Sequence, residues 1–358
     1  MDRSNNLDGL RLLGSVMVII GHAYAILGRP PGAEPQMLGY SINTLGVVIF
    51  FAISGYLIAA SWNSKRDLLA FMAARCLRIF PALVVLVVAT AFVIGPLATS
   101  RTVADYFGDP LVLRYLRNIA LHHENVLPGV LDGLPYPASI NGSLWTLPME
   151  FACYLLVPLL VLRFWRGRVL LLSGIIVFFV WASVQPRGTF DIIWGVDPVR
   201  FAKFAALFMA GSLIRALVDR YGKQILRADV AIGLLTFHML VLSVAPERIP
   251  YISFATLPYV VLVIGLAKTP YFHRASRFGD LSYGMYLWAF PVQQLIVLWV
   301  GTPRMAINIP LVILITGTLA FLSWHLVEKP SMGLKDKIID LRVRDRKTAP
   351  EPEKQPAA

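Results

Sequence analysis

Ten long apolar stretches, at 12–28, 41–60, 79–99, 145–162, 169–184, 199–214, 229–245, 252–267, 281–300 and 306–327, leave this chain little choice of environment. A backbone in hydrocarbon must satisfy its own N–H and C=O groups, which restricts it to helices or closed barrels. The apolar runs are continuous and do not alternate, so a barrel is excluded. The expectation is an all-α polytopic membrane protein with about ten transmembrane helices. A composition of 57% hydrophobic and 15% charged residues, with a mean hydropathy of +0.65, agrees with that reading.

The net charge of +12 does not signal nucleic acid, because of where it lies. With the N-terminus inside, 24 of the 33 Lys and Arg residues fall on the cytoplasmic side and nine on the other. That bias over short connections sets both termini in the cytoplasm, and an even number of spans agrees. Ala23-Tyr24-Ala25 faintly resembles a signal-peptidase site, but Arg11, His22 and nine further spans favour a retained anchor. Of the two cysteines, Cys76 is expected in a cytoplasmic loop and Cys153 inside the fourth span, so no disulfide framework is expected.

One membrane domain is expected over residues 1–334, followed at 335–358 by a charged, Pro-rich, disordered cytoplasmic tail. The longest external segment, about 100–144, has an amphipathic pattern from Leu111 to Leu121 and then a Pro- and Gly-rich loop suited to a lid or substrate platform. His122-His123 next to Glu124 reads as surface histidine, and no metal site is expected.

Six polar clusters punctuate the apolar runs or their ends. Arg11 and His22 are eleven residues apart, close to three turns, so they share one face of the first helix at about 16 Å along its axis. Ionisable groups in lipid are costly and normally face a protein interior. In Phe50–Ile58, Ser54-Gly55 makes a small polar notch, read first as close helix packing and second as the lining of a passage. Arg75 and Arg78, at i and i+3 before the third span, suit phosphate clamping or lipid-headgroup anchoring. Asn141–Phe151 carries Glu150 into the fourth span, at an expected depth close to that of His22, where a carboxylate hydrogen-bonded to the imidazole would suit a general base. Ser282–Gln294 offers aromatic and amide groups for a pocket, and His325–Pro330 is expected to end the last span at Pro330.

In order, LDGLR with ten residues between Arg11 and His22, FFAISGYLI, RCLRIFP, SLWTLPME, SYGMYLW and VEKP resemble the membrane acyltransferase-3 family of bacterial glycan O-acyltransferases, from Leu7 to Pro330. The resemblance implies a ten-helix core in the inner membrane and an acyl-coenzyme A donor reached from the cytoplasm. Acetyl-CoA is the usual such co-substrate, with no bound cofactor. The acceptor would be a glycan or lipid-linked glycan on the outer side. His22 and Glu150 match the catalytic positions, and Arg11, Arg75 and Arg78 the donor-binding ones. Asn141, Ser143, Trp145 and Tyr283 are expected to meet the acceptor. Two departures stand out: Ala289 where many members have His, and His325 where an aromatic residue is usual. A proton-coupled transporter would use the same intramembrane Arg, His and Glu, but the paired broken helices of such carriers are not found.

Overall fold

The computed structural model describes residues 5–160, 165–186, 188, 192–270 and 272–334, so the expected tail at 335–358 lies outside the described residues. Thirteen α-helices follow in chain order: α1 (Leu7–Ile26), α2 (Ile42–Lys65), α3 (Leu68–Ala89), α4 (Gly95–Ala98), α5 (Val103–Gly108), α6 (Pro110–Tyr115), α7 (Thr146–Leu160), α8 (Trp165–Ser183), α9 (Pro198–Tyr221), α10 (Ala228–Val244), α11 (Ile249–Leu266), α12 (Ser282–Val300) and α13 (Met305–Ser323). A two-residue hairpin, β1 (Gln36–Met37) and β2 (Tyr40–Ser41), joins α1 to α2 through Leu38 and Gly39, both at positive φ as a tight two-residue turn requires.

Among the described residues nine helices are long and apolar enough to cross a membrane; the tenth expected span, α7, is a shorter apolar helix. The third span is longer than expected. Asp67 caps α3 by accepting from the Ala70 N–H, nothing after it breaks the helix, and a π-turn at Thr90–Ile94 carries the rod on through α4 to Ala98. Arg75, Cys76 and Arg78 therefore sit on α3, and Cys76 is not in a loop. Pro330 does not end the last span either. A π-turn at Trp324–Glu328 precedes it, the Lys329 N–H bonds back to Trp324, and helix continues to Leu334. The wider turn accommodates a residue that cannot donate.

At the centre α2 packs along α9. A Cβ on Gly55 would come 1.9 Å from the Phe208 carbonyl oxygen, and one on Gly211 2.3 Å from that of Ala52, so these two glycines let the backbones touch. Gly55 is thus a packing residue, as the first reading of the notch had it. The helix ends are tied at one face of the bundle. Asn6 bonds to the end of α11, Ser15 Oγ donates to the Ser282 carbonyl at 2.9 Å, and Arg78 reaches Glu328 beyond α13. The first helix begins and the last one ends on the same side.

The amphipathic stretch at 111–121 is helical, as α6 and a 3₁₀ turn over Leu116–Ala120. The second half of that long connection runs down into the bundle along α12. Gln294 Nε2 donates to the Tyr136 and Ser139 carbonyls at 2.8 and 2.9 Å, Asn141 Nδ2 to the Leu287 carbonyl at 3.0 Å, and the Tyr286 hydroxyl to the Ser143 carbonyl at 2.8 Å. Residues 136–145 therefore form a non-helical segment at membrane depth, its backbone satisfied by the protein around it.

Candidate active site

Three arginines from two helices converge near the start of α1. Arg11 of α1 and Arg75 and Arg78 of α3 line one cavity of about 300 Å³, together with Ser54, Leu57, Ile58, Ala74, Leu77, Tyr154 and Met332. The sequence separates Arg11 from the pair by more than sixty residues; the α1–α2–α3 packing brings them to one wall.

Two of the three are neutralised in place. Asp280, just before α12, accepts from Arg11 Nη1 at 3.1 Å and from Arg78 Nη2 at 2.6 Å through the same oxygen. Its other oxygen accepts from the Ser282 hydroxyl at 2.6 Å. Burial opposes the charge of Asp280, but Arg78, Arg11 and the Ser282 groups outweigh it and hold the carboxyl well below the usual carboxylate range. Arg78 Nη1 also donates to Glu328 at 2.9 Å, and Glu328 is 1% exposed. Arg75 has no such partner among the described residues. Its guanidinium lies 5.8 Å from the Phe71 ring centre and 6.0 Å from that of Tyr154, and its Nε is buried without a hydrogen bond.

Arg11 also borders a second, much smaller cavity of about 40 Å³, lined with it by Val47, Phe50, Phe51, Thr146, Leu147, Glu150, Tyr283 and Tyr286. Glu150 Oε1 accepts from the Ser54 hydroxyl at 2.9 Å and from the Tyr154 hydroxyl. Ser54, beside the packing glycine, is thus a polar partner of the carboxylate and lines the arginine cavity.

The expected hydrogen bond between Glu150 and His22 is not formed. Residues 136–145 descend before α7 starts, so Glu150 is brought beside Arg11 and Tyr283 and not to the level of the imidazole. The equal depth of Glu150 and His22 expected from sequence holds only for a span that begins at the membrane surface. His22 lies edge-on to Phe290 at 5.1 Å between ring centres, and its Nδ1 is buried without a partner. Gly142 packs against the same Phe290 ring, so the descending segment and the imidazole share one neighbour.

The four residues expected at the acceptor separate. Asn141 and Ser143 are buried in the descending segment; the Asn141 amide is committed to Leu287 and to the Ser143 N–H, while Ser143 Oγ is buried without a partner. Trp145 stands under Arg200 at 5.6 Å and against Phe204 at the start of α9. Tyr283 belongs to the arginine end: its hydroxyl donates to the Ile79 carbonyl at 2.8 Å and Arg78 lies 5.4 Å from its ring centre. Asp280 lies outside the sequence motifs, and Glu328, although within VEKP, carries no expected role there; the fold brings both acids to Arg78.

His122 meets Trp194 edge to face with Nδ1 3.5 Å from Glu124, and no group of three or more His, Cys, Asp and Glu able to hold a metal is found among the described residues.

A family pattern described as "Acyltransferase domain" matches residues 4–327. The chain is 32% identical to the O-acetyl transferase of Shigella phage Sf6, over 92% of this chain and 96% of that protein. It is 28% identical to nodulation protein 10 of Rhizobium leguminosarum bv. viciae, over 95% and 96%. To the peptidoglycan O-acetyltransferase OatA of Listeria monocytogenes it is 26% identical over 91% of this chain, spanning 55% of that longer protein. No solved structure matches.

Proposed function

The chain belongs to the membrane acyltransferase-3 family, and from that premise we propose that this O-acetyltransferase moves an acetyl group from cytoplasmic acetyl-CoA to a hydroxyl of an envelope or exported glycan. The observation that carries the reading is the convergence of Arg11, Arg75 and Arg78 on one cavity at a single face of the bundle, next to the chamber that holds Glu150. Guanidinium groups are the natural ligands of the diphosphate and phosphate of coenzyme A. Peptidoglycan in the name of the Listeria relative supports a glycan as the acceptor class. The charge bias of the connections supports cytoplasmic termini, and the family resemblance supports the bacterial inner membrane as the location.

His22 is the general base. It takes the proton of the acceptor hydroxyl as that oxygen attacks the thioester carbonyl; the C–S bond breaks, an ester forms, and the proton passes to the departing thiolate. The imidazole lies about 16 Å beyond Arg11 along α1, a distance that the flexible arm of coenzyme A is suited to cover. Glu150, anchored by Ser54 and Tyr154, acts at the neck between the two regions, balancing the charge of Arg11. The descending segment, with the free hydroxyl of Ser143, supplies the acceptor side.

The test uses purified protein in lipid nanodiscs with radiolabelled acetyl-CoA and envelope glycans from a deletion strain. Transfer of label to alkali-labile esters is expected. A general base contributes about 10²–10⁴ in rate, so His22→Ala lowers transfer at least a hundredfold while the protein still inserts and accumulates. Wild-type rates in that variant reject the assignment.

A further inference from the structure

The three arginines of the cavity are not equivalent, and the difference is made by two acids, Asp280 just before the SYGMYLW motif and Glu328 within VEKP. Asp280 bridges Arg11 and Arg78 with one oxygen, Glu328 takes the other side of Arg78, and Ser282 and Ser323 hold the two carboxylates in turn. The chain Arg11–Asp280–Arg78–Glu328 thus links α1, the turn before α12, α3 and the extension of α13. Arg75 stands outside it. It lines the cavity with its charge unneutralised by any ion pair among the described residues, stacked on Phe71 and Tyr154 with a buried, unbonded Nε.

We propose that Asp280 and Glu328 are positioning residues that fix Arg78 and Arg11, so that Arg75 alone is left to take the phosphate oxygens of the donor. Arg78, gripped by two carboxylates, has most of its planar fork engaged and offers an incoming phosphate little, while Arg11 is held by Asp280 through Nη1 and keeps a buried, unbonded Nε. Arg75, which has no carboxylate at ion-pair distance among the described residues, gains a full partner on binding. The acids also lower the positive potential of the cavity, which keeps a polyanionic donor from settling in any register that merely brings phosphate near a guanidinium. The proposal rests on the donor reading above, and its test separates the two.

Binding of free coenzyme A to full-length protein in nanodiscs is measured by calorimetry, beside steady-state acetyl transfer. Arg75→Ala weakens binding at least tenfold and flattens its dependence on salt. Asp280→Asn removes a negative charge and frees two guanidinium groups, so coenzyme A binds as tightly as before or tighter while kcat falls at least tenfold. Asp280→Glu, which keeps the charge, restores kcat in part, and Glu328→Gln repeats the pattern more weakly. Opposite movement of binding and turnover is a signature that simple unfolding does not produce, since lost structure lowers both. The division of labour is overturned if Arg75→Ala binds coenzyme A like the wild type, or if Asp280→Asn leaves kcat unchanged or lowers binding and turnover together. No binding of coenzyme A by the wild-type protein overturns the donor reading itself.

Discussion

Single residues carry most of the chemistry, and their environments differ sharply. His123, in the connection outside the spans, is held neutral: burial lowers its pKa to about 4, helped by the charges of His122 and Arg200 and opposed by Glu124. The unfolded chain keeps an ordinary imidazole near 6.5 and so binds the proton first as pH falls. Stability therefore drops between about pH 6.5 and pH 4, by an amount on the order of 1–2 kcal/mol after allowance for partial exposure. Thermal unfolding midpoints in detergent are expected to fall over that range in the wild type and to fall less in His123→Gln. A parallel pH dependence in the two proteins counts against the assignment. Asp280 behaves in the opposite sense: with its carboxyl held far below the usual range, it stays ionised wherever transfer can be assayed, so the arginine cavity does not lose this partner on mild acidification.

Helices show where sequence reasoning reached and where it stopped. The 3.6-residue repeat placed Arg11 and His22 on one face, and spacing joined Arg75 to Arg78, because both facts are local to one helix. Depth was less legible. Residue spacing from the loop sets Glu150 level with His22, whereas a segment leaves the surface before α7 begins, stitched to α12 by bonds from residues about 150 positions away. The partnership of Asp280 and Glu328 with Arg78 is illegible for the same reason, since a partner across the bundle leaves no periodicity. The α2–α9 crossing gives a direct test. Gly55→Ala forces a methyl group onto the Phe208 carbonyl oxygen, at the upper end of the roughly 1–3 kcal/mol that overpacking costs. Gly174→Ala on α8, where a Cβ meets nothing within 4 Å, gains up to about 1 kcal/mol from helix propensity. The first variant is expected to accumulate poorly with a lowered unfolding midpoint and the second to match or exceed the wild type; equal behaviour would mean that the close approach is not needed.

At the scale of the whole molecule, the bundle has two unlike ends joined by an ionisable interior. Its orientation is open to labelling. In a Cys76→Ser background, a cysteine at Ala104 on exposed α5 is expected to react with an impermeant maleimide in intact spheroplasts, and one at exposed Lys223 only after lysis. The reverse pattern inverts the topology and with it the side from which acetyl-CoA arrives. One feature bears on how the two ends communicate. Helix α12 stands on Asp280, which grips the arginines below, while Leu287 and Gln294 higher up the same rod hold the loop that dips toward His22. It is a single lever with a load at each end, so a tilt of α12 cannot reshape one doorway and leave the other as it was.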